Sequence, residues 1–134
     1  MKVLLDTNVI LDIALNRQPF VEQAISLFQA PEGKLIFHVT ASSITDIYYI
    51  INKKLKHEKS IEFILDLLDF CKICPQTKST FLEAANSKFD DFEDAVQYFC
   101  AKSADIEAII TRNKSDFLEA ELPVYSPKEF LEQL

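Results

Sequence analysis

The chain has 134 residues, 49% of them apolar, and a formal net charge of −7. A chain of this length buries roughly two-thirds of the surface its unfolded form exposes, so it needs no disulfide for a stable core, and the apolar content excludes disorder. The negative balance excludes a general basic nucleic-acid binder, whose affinity comes from phosphate neutralisation, but not a nucleic-acid enzyme whose carboxylates hold cations.

In chain order, Met1 to Leu5 of "MKVLLD" reads as a buried strand that runs directly into Asp6. That charge comes too early for the apolar region of a signal peptide. The lone glycine, Gly33, excludes the Gly-rich phosphate cradles. Leu35 to Val39 is a second strand. "TASSITDIYYIINKK" places Ile44, Ile47, Tyr48 and Ile51 on one helical face, with Thr40 or Ser42 as cap and Asp46 in the early turns. The basic "KKLKHEK", Lys53 to Lys59, reads as a solvated helix end and loop, or as an RNA-backbone contact. "SIEFILDLLDFCK" repeats Ile61, Ile64, Leu65 and Leu68, and the Cys71/Cys74 pair at its end reads as core packing rather than a metal or redox site. "DFEDAVQYFCAKSA" groups Phe92, Ala95, Val96, Phe99 and Cys100, while Asp91 and Asp94, three apart, share a face. "EAIIT", Glu107 to Thr111, is a third strand, followed by Asn113 and Asp116, and a weak fourth lies near Val124.

Unbroken apolar strands alternating with amphipathic helices mean an α/β fold, with a parallel sheet covered on both faces in three layers. Without repeats or linkers, the expectation is one domain over residues 1–134. Three cysteines without a signal peptide indicate a reducing, cytoplasmic setting. No apolar run reaches the ~18 residues of a membrane span. Tyr48, Tyr49 and Phe20 suit either a dimer or partner surface or, more commonly at helical spacing, the core.

Parallel sheets bind ligands beyond the carboxyl ends of their strands, which right-handed crossovers place on one side. Asp6, Asp46, Asp91, Asp94, Asn113 and Asp116 would converge there from four segments, with Asn8 and Thr111 in support. Two carboxylates ~4 Å apart repel by about 4 kcal/mol at an effective dielectric near 20, so such a cluster needs a cation or protons. Oxygen-only ligands suit Mg²⁺ or Mn²⁺, and neither histidine lies near these segments to favour zinc. Two such ions about 4 Å apart can activate a water and stabilise the leaving oxygen of a phosphodiester. Each acid also has a plainer reading. Asp91 can be a helix cap with Asp94 as its capping-box partner, and Asp90 and Glu93 can be caps or exposed. Asp46 and Asp12 can be solvated helix residues, and Asp116 can cap a short helix starting at Phe117. Asp6 is the hardest to dismiss, since a charge ending a buried strand is seldom left unpaired. Arg112 and Lys114, beside Asn113, are candidates to meet a substrate phosphate.

The opening "LLDTNVILD", the later "DFEDAVQYFCAKSADIEAIITRNKSDF" and their order resemble the PIN-domain nucleases. More narrowly, they resemble the branch of virulence-associated protein C-like toxins of bacterial toxin–antitoxin pairs. The resemblance runs from Met1 to about Phe130. It implies a three-layer α/β/α sandwich around a parallel sheet of four or five strands, and Mg²⁺- or Mn²⁺-dependent endoribonuclease activity. It implies catalytic acids at Asp6, Asp46, Asp94 and Asp116, metal held by Asp6, Asp94 and Asp116, an RNA substrate and an antitoxin partner; Asp91, one turn from Asp94, is a further metal ligand that offsets the charge missing at Asn113, and a second copy of the chain is another candidate partner. Many relatives carry Asp where this chain has Asn113, an amide that brings no charge to a second metal. Two competing readings are a non-catalytic nucleic-acid or protein-binding module on the same fold, and a small Mg²⁺-dependent phosphatase. The latter is disfavoured by Asn8, which stands where an aspartyl phosphatase needs its second acid.

Overall fold

The computed structural model describes residues 1–134. Its strands are β1 (Lys2–Leu5), β2 (Ile36–Thr40), β3 (Cys71–Cys74), β4 (Ala108–Ile110) and β5 (Val124–Tyr125). All pairings are parallel, in the order β3-β2-β1-β4-β5. Seven helices surround the sheet: α1 (Thr7–Ala14), α2 (Val21–Leu27), α3 (Ala41–Ile51), α4 (His57–Phe70), α5 (Lys78–Ala85), α6 (Phe92–Ser103) and α7 (Pro127–Glu132). A 3₁₀ turn covers Lys114–Phe117.

The central strands β1 and β4 are apolar at every core position because both their faces are covered. Successive side chains alternate between faces. Val3, Leu5, Ala108 and Ile110 join the core packed against α1, α2, α3, α4 and α7. Leu4 and Ile109 join the opposite core, built with Tyr98, Cys100 and Ala101 of α6. The expected three-layer α/β/α sandwich is therefore present, with five strands. Each fully buried Leu or Ile contributes about 1.5–3 kcal/mol from area removed from water.

Two local expectations are corrected. Cys71 and Cys74 do not end a helix: α4 stops at Phe70 and they bound the edge strand β3, paired with Phe37 and Thr40 of β2. Both are buried, one in each core, and all three thiols are free, so the packing reading holds. At the start of α3, Thr40 holds the cap position but its hydroxyl pairs with Ser43 Oγ at 2.6 Å. The backbone N–H of Ser42 is met instead by Gln76 Oε1 at 2.8 Å, an external cap from the segment after β3. No helix is long and apolar enough to cross a membrane.

Candidate active site

β1 passes into α1 through a single residue. The backbone N–H of Asp6 still bonds Ile110 O at 2.9 Å, while its side chain already caps α1 by accepting from Thr7 N–H at 2.7 Å. That carboxylate is 6% exposed, and a buried charge needs partners. Its Oδ1 also accepts from Gln97 Nε2 at 2.9 Å. Its Oδ2 accepts from Thr111 Oγ1 at 2.7 Å and from Asn8 Nδ2 at 3.2 Å. The buried Thr111 hydroxyl in turn accepts from the backbone N–H of Asn113 at 3.0 Å, and Asn8 Oδ1 accepts from Arg112 N–H at 3.3 Å. Asp6 thus ties together the tips of β1 and β4 and the face of α6.

Asp91 caps α6, accepting from Asp94 N–H at 3.0 Å, but the reciprocal bond of a capping box is not made. The Asp94 carboxyl therefore has no hydrogen-bond partner. Burial first, and then the charges of Asp91, Asp6, Asp116 and Glu93, push its pKa up to about 7. Glu93 is raised too, by desolvation first and then by Asp46, Asp91 and Asp6. Acids from the end of β1, from α3, from the start of α6 and from the 3₁₀ turn thus act on Glu93 and Asp94. Asp91, Asp94 and Asp116 line a polar cavity of about 130 Å³, whereas Asp6 and Asp46 lie outside its lining. Asp116 caps no helix: Asn113 holds the cap position of the 3₁₀ turn, and Asp116 N–H donates to Asn113 O at 3.0 Å. The Asn113 side chain is exposed and does not line the cavity.

The flanking cations are engaged. Arg112 donates to both carboxylate oxygens of Asp12, at 2.6 and 3.2 Å, and its guanidinium lies 4.0 Å over the Phe20 ring. Asp12 is not a solvated helix residue: it is 0% exposed, and Arg17 stands 3.9 Å away. A buried carboxylate on α1 is tolerated because this cation, a hundred residues along the chain, reaches it. Lys114 pairs with Glu129 at 3.0 Å on the surface. Tyr48 donates to or accepts from His57 Nδ1 at 2.7 Å, while Tyr49 is exposed.

Glu93, read from the sequence as a cap or an exposed acid, is exposed on the first turn of α6 and still feels the neighbouring carboxylates. One residue near the acids is absent from the sequence expectations. Gln97 is 2% exposed and follows Asp94 by three residues, and that spacing was the available signal. As the side chains stand, no three Asp, Glu, His or Cys groups are arranged to hold a metal ion. The chemistry of the donors fits a hard cation nonetheless: all are oxygens, the Asp94 carboxyl is pushed up by burial and then by neighbouring carboxylates, and Gln97 Oε1 is a buried acceptor with no donor.

The PIN domain family matches residues 2–115. No curated protein matches the chain. Among solved structures, VapBC-1 from nontypeable Haemophilus influenzae is 15% identical, over 96% of this chain and 99% of that one, with a TM-score of 0.73. A toxin–antitoxin complex from Klebsiella pneumoniae is 19% identical over 93% and 97%, with a TM-score of 0.69. VapC20 from Mycobacterium tuberculosis, described as a sarcin–ricin loop cleaving toxin, is 10% identical over 80% and 86%, with a TM-score of 0.65. At these identities the structures establish a shared fold, and the match over residues 2–115 establishes the family: the chain belongs to the PIN domain proteins.

Proposed function

We propose that the protein is a metal-dependent endoribonuclease acting in the cytoplasm, the toxin of a toxin–antitoxin pair. The observation that carries this reading is Asp94, an unpartnered carboxyl among Asp91, Asp6, Asp116 and Glu93 at the carboxyl edge of a parallel sheet. Such a set stores repulsion that Mg²⁺ or Mn²⁺ would relieve. Asp6, Asp94 and Asp116 would hold the ion, with Asp91 beside them. When bound, the ion supplies activation of a water and stabilisation of the leaving oxygen of an RNA phosphodiester.

The chain's own groups prepare the site. Thr7, Asn8, Gln97 and Thr111 fix the orientation of Asp6. Asp46 and Glu93 extend the acidic field away from the cavity. Arg112 anchors the turn that carries Asn113 and Asp116 rather than standing free for a phosphate. Lys114 can leave an exposed ion pair of small worth to meet one. The fold shared with the Klebsiella toxin–antitoxin complex supports an antitoxin partner. An apolar cavity of about 270 Å³, lined by Ile10, Ile13, Ile25, Phe28, Phe63 and Phe70, offers a surface for an apolar segment of it.

The test is cleavage of single-stranded RNA by purified protein in EDTA, Mg²⁺ or Mn²⁺, beside Asp94→Asn. Cutting that needs metal and disappears in the variant is the expected result. RNA left intact at millimolar Mn²⁺ refutes it. That outcome would favour the non-catalytic binding module.

A further inference from the structure

Where α6 meets the sheet it is apolar: Tyr98, Cys100 and Ala101 are buried with Leu4 and Ile109, while Ala95 and Val96 pack with Ala84 of α5. Gln97 interrupts that face at 2% exposure. Its Nε2 donates to Asp6 Oδ1 at 2.9 Å, and its Oε1 is the protein's one buried side-chain oxygen or nitrogen without a hydrogen-bond partner. The amide cannot be turned over without setting Oε1 against a carboxylate oxygen, so its orientation follows from Asp6. Packing does not account for the residue, because an apolar side chain would fill the same helix face and leave no acceptor stranded. Asp6 does not account for it alone, because it already accepts from Thr7, Thr111 and Asn8.

Resting on the ribonuclease reading above, we infer that Gln97 is a positioning residue of the cleavage site. Its Nε2 fixes the Asp6 carboxylate, and its Oε1 accepts a hydrogen from a water held by the acid cluster. The amide suits both tasks because it donates and accepts from the two ends of one rigid plane. Its place on α6, three residues after Asp94, joins the acid that ends β1 to the acids that open the helix. Side chains that orient a ligand in this way typically change metal affinity or turnover about 10- to 100-fold when removed.

Gln97→Met tests this, since methionine matches the length of glutamine and lacks both polar atoms. The metal-free melting temperature should stay level, because loss of the stranded acceptor offsets loss of the Nε2 bond to Asp6, which keeps three other donors. Calorimetric titration with Mn²⁺ should show affinity weakened about 10- to 100-fold, and single-turnover RNA cleavage at saturating Mn²⁺ should slow by a similar factor with the RNA KM unchanged. Affinity and rate within roughly threefold of wild type, well inside that range, would overturn the inference. A role confined to structure would instead lower the melting temperature and leave the rate per folded molecule intact, which also overturns it. If Gln97→Met does not fold, Gln97→Asn decides: it keeps an amide but, one methylene shorter, draws it back from Asp6. Unchanged cleavage there overturns the inference, and a tenfold loss, at the low end of that range, supports it. A wild-type protein that neither binds Mn²⁺ nor cuts RNA overturns the ribonuclease reading and this inference with it, whereas a cutting wild type with an equally active Gln97→Met overturns the inference alone.

Discussion

Carboxylate repulsion alone predicts that Asp6→Asn leaves the metal-free protein intact or stabilises it. The hydrogen bonds around Asp6 reverse that sign. An asparagine here must put its NH₂ in place of one carboxylate oxygen. At the Oδ1 position it faces Thr7 N–H, a backbone donor that cannot turn and that forms the cap of α1. At the Oδ2 position it faces Asn8 Nδ2 and a Thr111 hydroxyl that already accepts from Asn113 N–H and Asn8 Nδ2. Either way one buried donor loses its acceptor, at about 1–3 kcal/mol, and the remaining bonds lose their charge assistance. The relief is smaller: Asp6 ranks behind both burial and Asp91 in its effect on Asp94, and the exposure of that group caps the gain at about 1 kcal/mol. The net expectation is a loss of about 1–2 kcal/mol, or on the order of 5 °C in Tm for a domain of this size. Thermal unfolding followed by circular dichroism in EDTA near neutral pH measures it. Asp6→Asn melting at or above wild type would show that repulsion outweighs the hydrogen bonds and refute this reasoning.

Arg112→Met strands the Asp12 carboxylate in the core with only Arg17, 3.9 Å away, and should cost about 3–5 kcal/mol in urea unfolding; a loss under about 1 kcal/mol, the scale of a surface pair, would return Arg112 to the candidates for phosphate contact. Asp94 makes metal-free stability depend on pH: its folded pKa of about 7 lies above the ordinary 3.8, so its contribution is complete below 3.8 and is lost as pH rises through 7. Glu93 acts in the same direction, and the burial-lowered His38 opposes it below about 6.5. The Tm of wild type relative to Asp94→Asn should therefore fall between about pH 4 and pH 7, and a constant difference would mean that Asp94 is not perturbed.

The strands and helices easiest to read are those with an unbroken run or a clean face: β1, β2, β4, α3 and α6. β3 was hidden because the apolar pattern of α4 continues through Phe70 into Cys71 with no Gly or Pro to mark the boundary. The acids that follow strand ends were visible from the alternation of elements. How far each side chain reaches was not, because that depends on rotamers and caps, as with Asp91, which spends its Oδ1 on Asp94 N–H. Asp12 was misread because its partner, Arg112, lies a hundred residues away and leaves no local trace. Gln97 reads as a solvated helix residue, and its spacing from Asp94 is a weak signal beside the tertiary contact with Asp6 that buries it.

Asp6 belongs to two elements at once, holding a rung of the β1–β4 ladder with its backbone and the first turn of α1 with its side chain. Amides there should exchange with solvent only when the whole domain opens. Asp91 and Asp116 sit instead on an exposed helix cap and a single 3₁₀ turn, whose amides can open locally. The cluster therefore has an anvil and a set of movable jaws. A ligand entering it would leave exchange at Asp6 and Thr7 almost unchanged and slow exchange around residues 91–94 and 113–117, so the order in which the site assembles is written into which of its acids the core holds.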